Sequence, residues 1–156
     1  MKPEDFFKEQ ARILVEMQKA KTMVVNVGLP ADKVSGAYDD DGVSILQVGA
    51  QHEYGTEKMP ARSFLRMPFE LKATEINIFI QSEFKKVLEG KSTAEKALGR
   101  VGVMTTNISK EAFRTNGFGQ WVELSPITIA IKEKASKTTP LVWSGLLRNS
   151  ITWSVE

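Results

Sequence analysis

The sequence predicts an α+β fold: a small antiparallel sheet with an N-terminal helix and a long antiparallel helical hairpin. Two observations predict this class. Short segments near both ends of the chain alternate between apolar and polar residues, as strands do, whereas long central segments repeat apolar residues every three or four positions, as helices do. At 156 residues the chain is long enough to bury a core without disulfides or metal, and we expect a single domain over residues 1–156.

The N-terminal segment predicts a helix followed by a strand. From Pro3 to about Ala20, apolar residues recur at helical spacing, with the proline in the first turn, where it is tolerated. The expected apolar face consists of Phe6, Phe7, Ile13, Leu14 and Met17. Thr22 to Gly28 then alternates with period two and contains three valines, which indicates a strand.

A second helix is expected after a turn-rich loop over residues 30–42. Ser44, followed three residues later by Gln47, forms a capping-box pattern that favours a helix from about Ile45 to Glu53 over a further strand. Gly55 and Pro60 then bracket a short polar loop, because glycine tolerates positive φ and proline fixes its own φ. We expect this loop, Gly55 to Leu65, to place the hairpin relative to the sheet.

The helical hairpin is predicted from two apolar seams. The first seam consists of Phe69, Ala73, Ile76, Ile80, Phe84 and Val87, and it ends at Gly90. The second consists of Ala94, Ala97, Val101, Met104, Ile108 and Ala112, and it ends at Gly117. Ser92 and Glu95 form the expected capping box of the second helix. Gly99 and Gly102 inside that helix are unfavourable by about 1 kcal/mol each relative to alanine, so we expect another helix to approach closely there.

The C-terminal part predicts two short helices and a closing strand. Ser125 and Pro126 form an N-cap and first-turn pair that starts a helix through about Lys134. Ser144 can cap a single turn through Arg148. The last residues, Ile151 to Val155, alternate as a strand does. Its expected partner is the strand near the N-terminus, and a third strand is expected from the Val43 region or from a neighbouring subunit, since two strands alone are marginal.

Composition narrows the classes of function. Twenty-one basic and 19 acidic residues leave a net charge of +2, too small for a dedicated binder of nucleic acid or membrane surfaces. The absence of cysteine excludes disulfides, cysteine-ligated zinc and thiol catalysis, and it fits a reducing cytoplasm. No apolar run approaches the roughly 18 residues of a membrane-spanning helix. The acidic N-terminus does not resemble a secretion signal, so we interpret it as an unprocessed start.

Candidate catalytic and metal sites are weak. His52 is the only histidine, and Thr56 stands where a zinc-protease motif requires a second one, so packing or hydrogen bonding at a helix end is favoured over catalysis. The three aspartates at 39–41 lack the alternation and the distal glutamate of a calcium loop, which favours a solvated turn. We therefore predict no catalytic residue, no metal ligand and no cofactor.

Arg62 and Arg66 lie four residues apart, on either side of Phe64. A helical turn would put both cations on one face, where they could bind nucleic-acid phosphates. The favoured alternative is an ion pair with Glu53, with Glu57 or with a carboxylate of an adjacent subunit, because arginine suits forked pairing. We expect a forked salt bridge of Arg62 to fix the loop. The tryptophans, Trp121, Trp143 and Trp153, are expected in the core or in interfaces.

Two blocks of the sequence resemble a known family. The first block is Val48-Gly49-Ala50-Gln51-His52-Glu53-Tyr54-Gly55-Thr56 followed by Pro60-Ala61-Arg62-Ser63-Phe64-Leu65-Arg66. The second combines Gly119-x-Trp121-x-x-Leu124-Ser125 with Leu141-x-x-Ser144-Gly145-x-Leu147-Arg148. Their order and spacing resemble the signature of the tailed-phage virion-morphogenesis family, the neck and tail-completion proteins. The sequence departs from the usual pattern at Ser63, where a second proline is common.

The resemblance implies a structural protein that joins the phage head to the tail or completes the upper end of the tail. It implies self-association into a ring, for which a hexamer is one option, with genomic DNA passing through the lumen. Head-tail connector and tail proteins would be neighbours in the virion, assembly would take place in the bacterial host cytoplasm, and no membrane would be involved. The residues expected to serve structure or interfaces are His52, Glu53, Tyr54, Gly55, Pro60, Arg62, Phe64, Arg66, Trp121, Gly145 and Arg148.

Three alternatives remain at this point. The chain could be another virion part, such as a tail terminator or a baseplate subunit. It could bind DNA through a basic patch at the hairpin turn, formed by Lys85, Lys86, Lys91, Lys96 and Arg100. A hydrolytic enzyme dependent on His52 ranks last.

Overall fold

The computed structural model describes residues 2–32, 34, 42–134 and 145–156. It confirms the α+β class, since the chain is mostly helical and carries a two-stranded antiparallel sheet. The elements in chain order are α1 (Pro3–Thr22), β1 (Val25–Gly28), α2 (Ile45–Tyr54), α3 (Arg66–Leu71), α4 (Ala73–Leu88), α5 (Ala94–Arg114), α6 (Pro126–Lys134), α7 (Leu146–Ser150) and β2 (Thr152–Val155). The expected aspartate turn at 39–41, the Ser144 cap and Trp143 lie outside the described residues.

The chain divides into two compact units. Unit 1 contains the described residues of Met1–Asn26, Ala73–Thr105 and Trp153–Glu156, and unit 2 contains those of Val27–Lys72 and Thr106–Thr152. Both units are discontinuous in sequence. The single domain over residues 1–156 stays a prediction, because compactness alone does not show whether either unit folds by itself.

The first two helices form as predicted. The capping box of α2 is complete: Gln47 N donates to Ser44 Oγ at 3.1 Å, and Ser44 N donates to Gln47 Oε1 at 3.0 Å. β1 pairs with β2, as expected for the two ends of the chain. It begins at Val25 rather than Thr22, because α1 extends to Thr22. In the described part of the chain the sheet has two strands, and the Val43 region leads into α2 instead of a third strand.

The first long helix of the predicted hairpin is broken. The chain leaves helical geometry at Lys72, where φ is −100° and ψ is 12°, so α3 and α4 are separate helices. The expected capping box at Ser92 is also wrong: Lys96 N donates to Thr93 Oγ1 at 3.3 Å, which makes Thr93 the cap of α5. A turn back is nevertheless present, since Arg100 near the start of α5 pairs with Glu83 near the end of α4.

The two glycines inside α5 face an indole rather than another helix. A Cβ added at Gly102 would lie 2.7 Å from two ring carbons of Trp153, and one at Gly99 would lie 3.3 Å from the same ring. The close approach predicted for these glycines therefore exists, but its partner is a side chain of β2. Trp153 is half-buried in unit 1 by this contact.

The apolar residues of α1 do not form a single buried face. Ile13 and Met17 are half-buried, as predicted, whereas Phe7 and Leu14 are 70% and 62% exposed. The buried side of α1 is instead marked by Glu16, whose carboxylate accepts from Ala94 N at 2.7 Å. Arg12 Nη2 donates to the carbonyl of Val87 at 2.9 Å on the same side. Polar contacts of Arg12 and Glu16 therefore fix α1 in unit 1 beside the half-buried Ile13 and Met17.

The hydrophobic core of unit 2 surrounds Phe64. Its ring lies 5.2 Å from that of Phe113, which in turn makes an edge contact with Trp121 at 5.7 Å. Other buried members are Val34, Ile45, Val48, Ala112, Leu147 and Ile151. Helices α2 and α7 contact each other in this unit. The core therefore gathers residues from both of the sequence blocks that carry the family resemblance.

Candidate functional site

The segment from His52 to Arg66, here called the joint, runs from the last turn of α2 to the first residue of α3. Gly55 ends that helix with φ 76° and ψ 177°, a region of backbone space that is essentially restricted to glycine. A Cβ at this position would lie 2.8 Å from Ala61 N. Thr56 and Met59 then exchange backbone hydrogen bonds of 2.8 and 3.2 Å, which closes a small turn. The predicted non-helical loop is thus a tight, bonded structure.

Glu53 is the centre of the joint. Only 5% of this residue is exposed. Its carboxylate accepts hydrogen bonds from Ser63 Oγ at 2.7 Å, from Phe64 N at 2.8 Å, and from Leu65 N and Arg66 N at 3.0 Å each. These N–H groups lie at the N-terminal end of α3, where a helix offers no acceptor for them. Glu53, in the last turn of α2, supplies the missing acceptor oxygens. A carboxylate at a helix N-terminus is also stabilised by the helix dipole.

Other groups fix the same stretch of backbone on its remaining sides. Arg62 N donates to His52 O at 2.7 Å. Trp121 Nε1 donates to Ser63 O at 2.9 Å, and Ser109 Oγ donates to Phe64 O at 2.6 Å. Every residue from Arg62 to Arg66 therefore has at least one backbone group bonded to a neighbouring segment of unit 2. The backbone from Arg62 to Arg66 is therefore held by a network of buried and partly buried hydrogen bonds.

The predicted salt bridge of Arg62 with Glu53 or Glu57 is wrong, whereas a pairing with an adjacent subunit stays a prediction. Its guanidinium is forked as expected, but it donates to two backbone carbonyls: Nε and Nη2 to Val122 O, both at 3.1 Å, and Nη2 to Glu123 O at 3.3 Å. Only 5% of Arg62 is exposed. Burial lowers the pKa of the guanidinium below its ordinary value. Arg62 thus clamps the segment after Trp121 to the joint.

The two arginines of the joint do not share a face. The chain is not helical between Arg62 and Leu65, so the first arginine is buried while Arg66 is exposed. The Arg66 guanidinium lies 5.7 Å from the centroid of the Tyr54 ring, in cation–π geometry. A paired phosphate clamp, one of the sequence-based alternatives, is therefore absent from the joint as described.

The remaining predicted site residues serve the framework or the surface. His52 is half-buried near the end of α2, and Pro60 is exposed. Trp121 belongs to the core, as predicted. Gly145 precedes α7 with φ 76°, and Arg148 is exposed on that helix. Within the described ranges no cluster of histidine and acidic side chains could hold a metal ion.

Sequence reasoning missed two contributors to the joint. Ser109 is fully buried in α5, where its hydroxyl binds the carbonyl of Phe64. Ser63 both donates to Glu53 and accepts from Met67 N at 2.9 Å, so its hydroxyl serves as a cap at the start of α3. A serine inside the apolar seam of a predicted helix was the available signal for Ser109.

The predicted basic patch at the hairpin turn contains two carboxylates as well as its five cations. Lys86 and Arg100 pair with Glu83, and Lys85 and Lys91 pair with Glu89. Because each carboxylate is shared by two cations, these pairs reduce the positive charge of the patch but do not cancel it. Binding of a phosphate backbone to this patch stays a prediction.

Comparisons with known proteins give no match to a family model, a curated protein or a solved structure. Among the described helices, none combines the length and the apolar character needed to cross a bilayer.

Proposed function

We propose that the protein is a structural subunit of a tailed-phage virion, a ring-forming neck or tail-completion protein that works by assembly and not by catalysis. The observation that carries this proposal is the meeting of the two resembling blocks in unit 2. They lie more than 50 residues apart in the chain, yet Arg62 binds the carbonyls of Val122 and Glu123, and Trp121 binds the carbonyl of Ser63. Blocks that carry one family's signature are expected to form one framework.

Exposed apolar side chains beside this framework support a role in subunit contact. Tyr54 is 72% exposed, one residue after Glu53. Val122 is 57% exposed although its carbonyl is bound by Arg62, and Ile127 is 75% exposed at the start of α6. Aromatic and aliphatic residues on a rigid support are typical of protein interfaces. The joint would hold these side chains in fixed positions for a neighbouring copy.

The proposed role predicts which molecules the protein contacts and where in the virion it lies. Copies of this chain would form a closed ring through a heterologous interface, with connector and tail proteins above and below it and genomic DNA in the lumen. The ring would belong to the neck or upper tail of the virion and would assemble in the bacterial host cytoplasm, without a cofactor. A position as tail terminator or baseplate subunit is the alternative within the same class.

The deciding experiment is removal of the gene from the phage that encodes it, followed by electron microscopy of the particles. Loss of a neck or tail-completion subunit predicts complete heads and separate tails that do not join, and density for the ring in cryo-electron microscopy of complete particles. Normal joined virions, or density for this protein at the distal end of the tail, would contradict the neck assignment.

A surface variant tests the proposed contact without disturbing the joint. Val122→Asp places a charge on the exposed side chain while the carbonyl that Arg62 binds is retained. We expect the variant to fold but to restore infectivity to the gene-deleted phage at least about tenfold less well than the wild type, since burying an unpaired charge in an interface is strongly unfavourable. Val103→Asp, on an exposed position of α5 in unit 1, is the matched control. Equal rescue by both variants would exclude Val122 from the interface.

A further inference from the structure

We infer that the exposed face of α1 pairs with the same face of α1 in a second copy, in antiparallel orientation. The residues of this face are Phe7, Ala11, Leu14 and Gln18, hereafter the α1 seam, and all four are exposed. Their spacing of four, three and four residues is that of a seam along which two helices pack side by side. The aromatic and the leucine are among the most exposed large apolar residues in the described part of the chain.

The α1 seam is separate from the face that α1 uses inside unit 1. That inner face is fixed by Arg12, which binds Val87 O, and by Glu16, which binds Ala94 N. Because successive residues of a helix are rotated by about 100°, positions 12 and 16 point away from positions 7, 11, 14 and 18. The outward stripe is therefore left without a partner inside unit 1, and its apolar side chains do not contribute to the packing of that unit.

The charges of α1 identify the partner as a second copy in antiparallel orientation. Glu4 and Asp5 lie in the first turn, and Lys19 and Lys21 lie in the last. A two-fold related, antiparallel pair that sets Ala11 against Leu14 of the other copy also sets Glu4 against Lys21 at both ends. A small residue then faces a large one at the centre, and opposite charges meet at each end. A parallel pair would instead bring like charges together.

This inference does not depend on the proposed virion role. A two-fold contact is complete with two copies and cannot by itself extend into a ring. It predicts a dimer of the purified protein, whatever surface a ring would use. The ring proposal is tested by particle assembly and the α1 seam by the mass of the free protein, so each can fail separately.

The first test is the concentration dependence of the molar mass of the full chain, measured by sedimentation equilibrium. The wild type is expected to shift from the monomer mass to twice that mass as concentration rises. Leu14→Asp should remain monomeric at concentrations where the wild type is mostly dimeric. Ile78→Asp, at a 62% exposed apolar position of α4, is the matched control and should dimerise as the wild type does. Circular dichroism establishes that both variants are folded.

The second test determines the orientation of the two helices. Because the chain has no native cysteine, every disulfide must involve an introduced residue. A Glu4→Cys, Lys21→Cys double variant should form disulfide-linked dimers on mild oxidation. The two sites lie about 25 Å apart along one helix, so they cannot bridge within a chain. Each single variant should cross-link far less. A protein that is monomeric at every concentration, a Leu14→Asp variant that dimerises normally, or single variants that cross-link as well as the double variant would overturn the inference.

Discussion

The two units bury a glutamate in different ways. In unit 2, all four observed donors to Glu53 are neutral: one serine hydroxyl and three successive backbone N–H groups. In unit 1, Glu83 is 1% exposed and accepts instead from two cations, Lys86 and Arg100. The Glu53 carboxylate therefore binds mainly backbone groups, whereas the Glu83 carboxylate binds the ends of long side chains.

This difference sets what each carboxylate can hold in place. Three backbone donors in a row fix the φ and ψ angles of the residues that carry them, so Glu53 determines the path of the chain into α3. Lysine and arginine have several rotatable bonds and remain partly solvated. The pair of Glu83 with Arg100 therefore connects α4 to α5, and its pair with Lys86 lies within α4, without either pair dictating the backbone. The joint should therefore be the more sensitive of the two to a single substitution.

The largest effect is expected for Glu53→Ala. The substitution removes four hydrogen bonds to a charged acceptor and leaves buried N–H groups unsatisfied, which should lower the free energy of unfolding by about 3 kcal/mol or more. Urea unfolding followed by circular dichroism measures the loss. The indole N–H resonance of Trp121, which donates to Ser63 O, should move toward its unfolded position in the same variant.

Glu57→Ala is the control for this prediction, because Glu57 is exposed in the same loop. It should change the free energy of unfolding by less than about 0.5 kcal/mol. If the two alanine variants are equally stable, Glu53 does not organise the joint, and the contrast with Glu83 disappears.

A smaller effect is expected for Gly55→Ala. The alanine would be held at a φ of 76°, and its Cβ would approach Ala61 N to 2.8 Å, so a destabilisation of about 1–3 kcal/mol is expected. Gly119→Ala is the matched control, since Gly119 has a φ of 78° but open space around its Cβ position. The difference between the two urea midpoints measures what the ψ of 177° and the contact with Ala61 N add to the cost of a positive φ. Equal midpoints would mean that the backbone of Ala61 moves aside at little cost.

The sequence predicted several parts of the fold that depend on local patterns, although the local pattern at Ser92 misled. The capping box of Ser44 and Gln47 depends on residues three apart, and it forms as expected. The strand alternation near both ends also depends on neighbouring residues, and those strands pair. Such features need no knowledge of the rest of the chain.

Features that depend on distant partners could not be predicted. The groups that donate hydrogen bonds to the Glu53 carboxylate lie 10 to 13 residues further along the chain. A loop of unknown conformation separates them from Glu53, so the sequence alone could not show that they meet. The carbonyls that bind Arg62 lie about 60 residues away and belong to backbone, which carries no sequence signal. The two faces of α1 were merged into one for a related reason: apolar spacing cannot tell an inner stripe from an outer one.

The smallest effect is a response to acid, expected from the carboxylates of unit 1. The pKa of Glu16 lies below its ordinary value of 4.5, first because Ala94 N donates to it and then because of Lys19. The pKa of Glu83 is also lowered: burial acts to raise it, but the hydrogen bonds from Lys86 and Arg100 outweigh burial. A carboxylate whose pKa is lower when folded adds stability at neutral pH and loses it as the pH falls below about 4.5.

The comparison of wild type with Glu16→Gln tests this response. The variant should have the lower urea midpoint at pH 7. The difference between the two midpoints should shrink as the pH falls from about 5 to about 3, because protonation of Glu16 removes from the wild type the negative charge that the variant already lacks. Glu95→Gln, at an exposed position in the first turn of α5, is the surface control, and its urea midpoint at pH 7 should lie closer to that of the wild type. A gap for Glu16→Gln that stays constant with pH would mean that α1 is held by Arg12 and apolar packing, and not by the charge of Glu16.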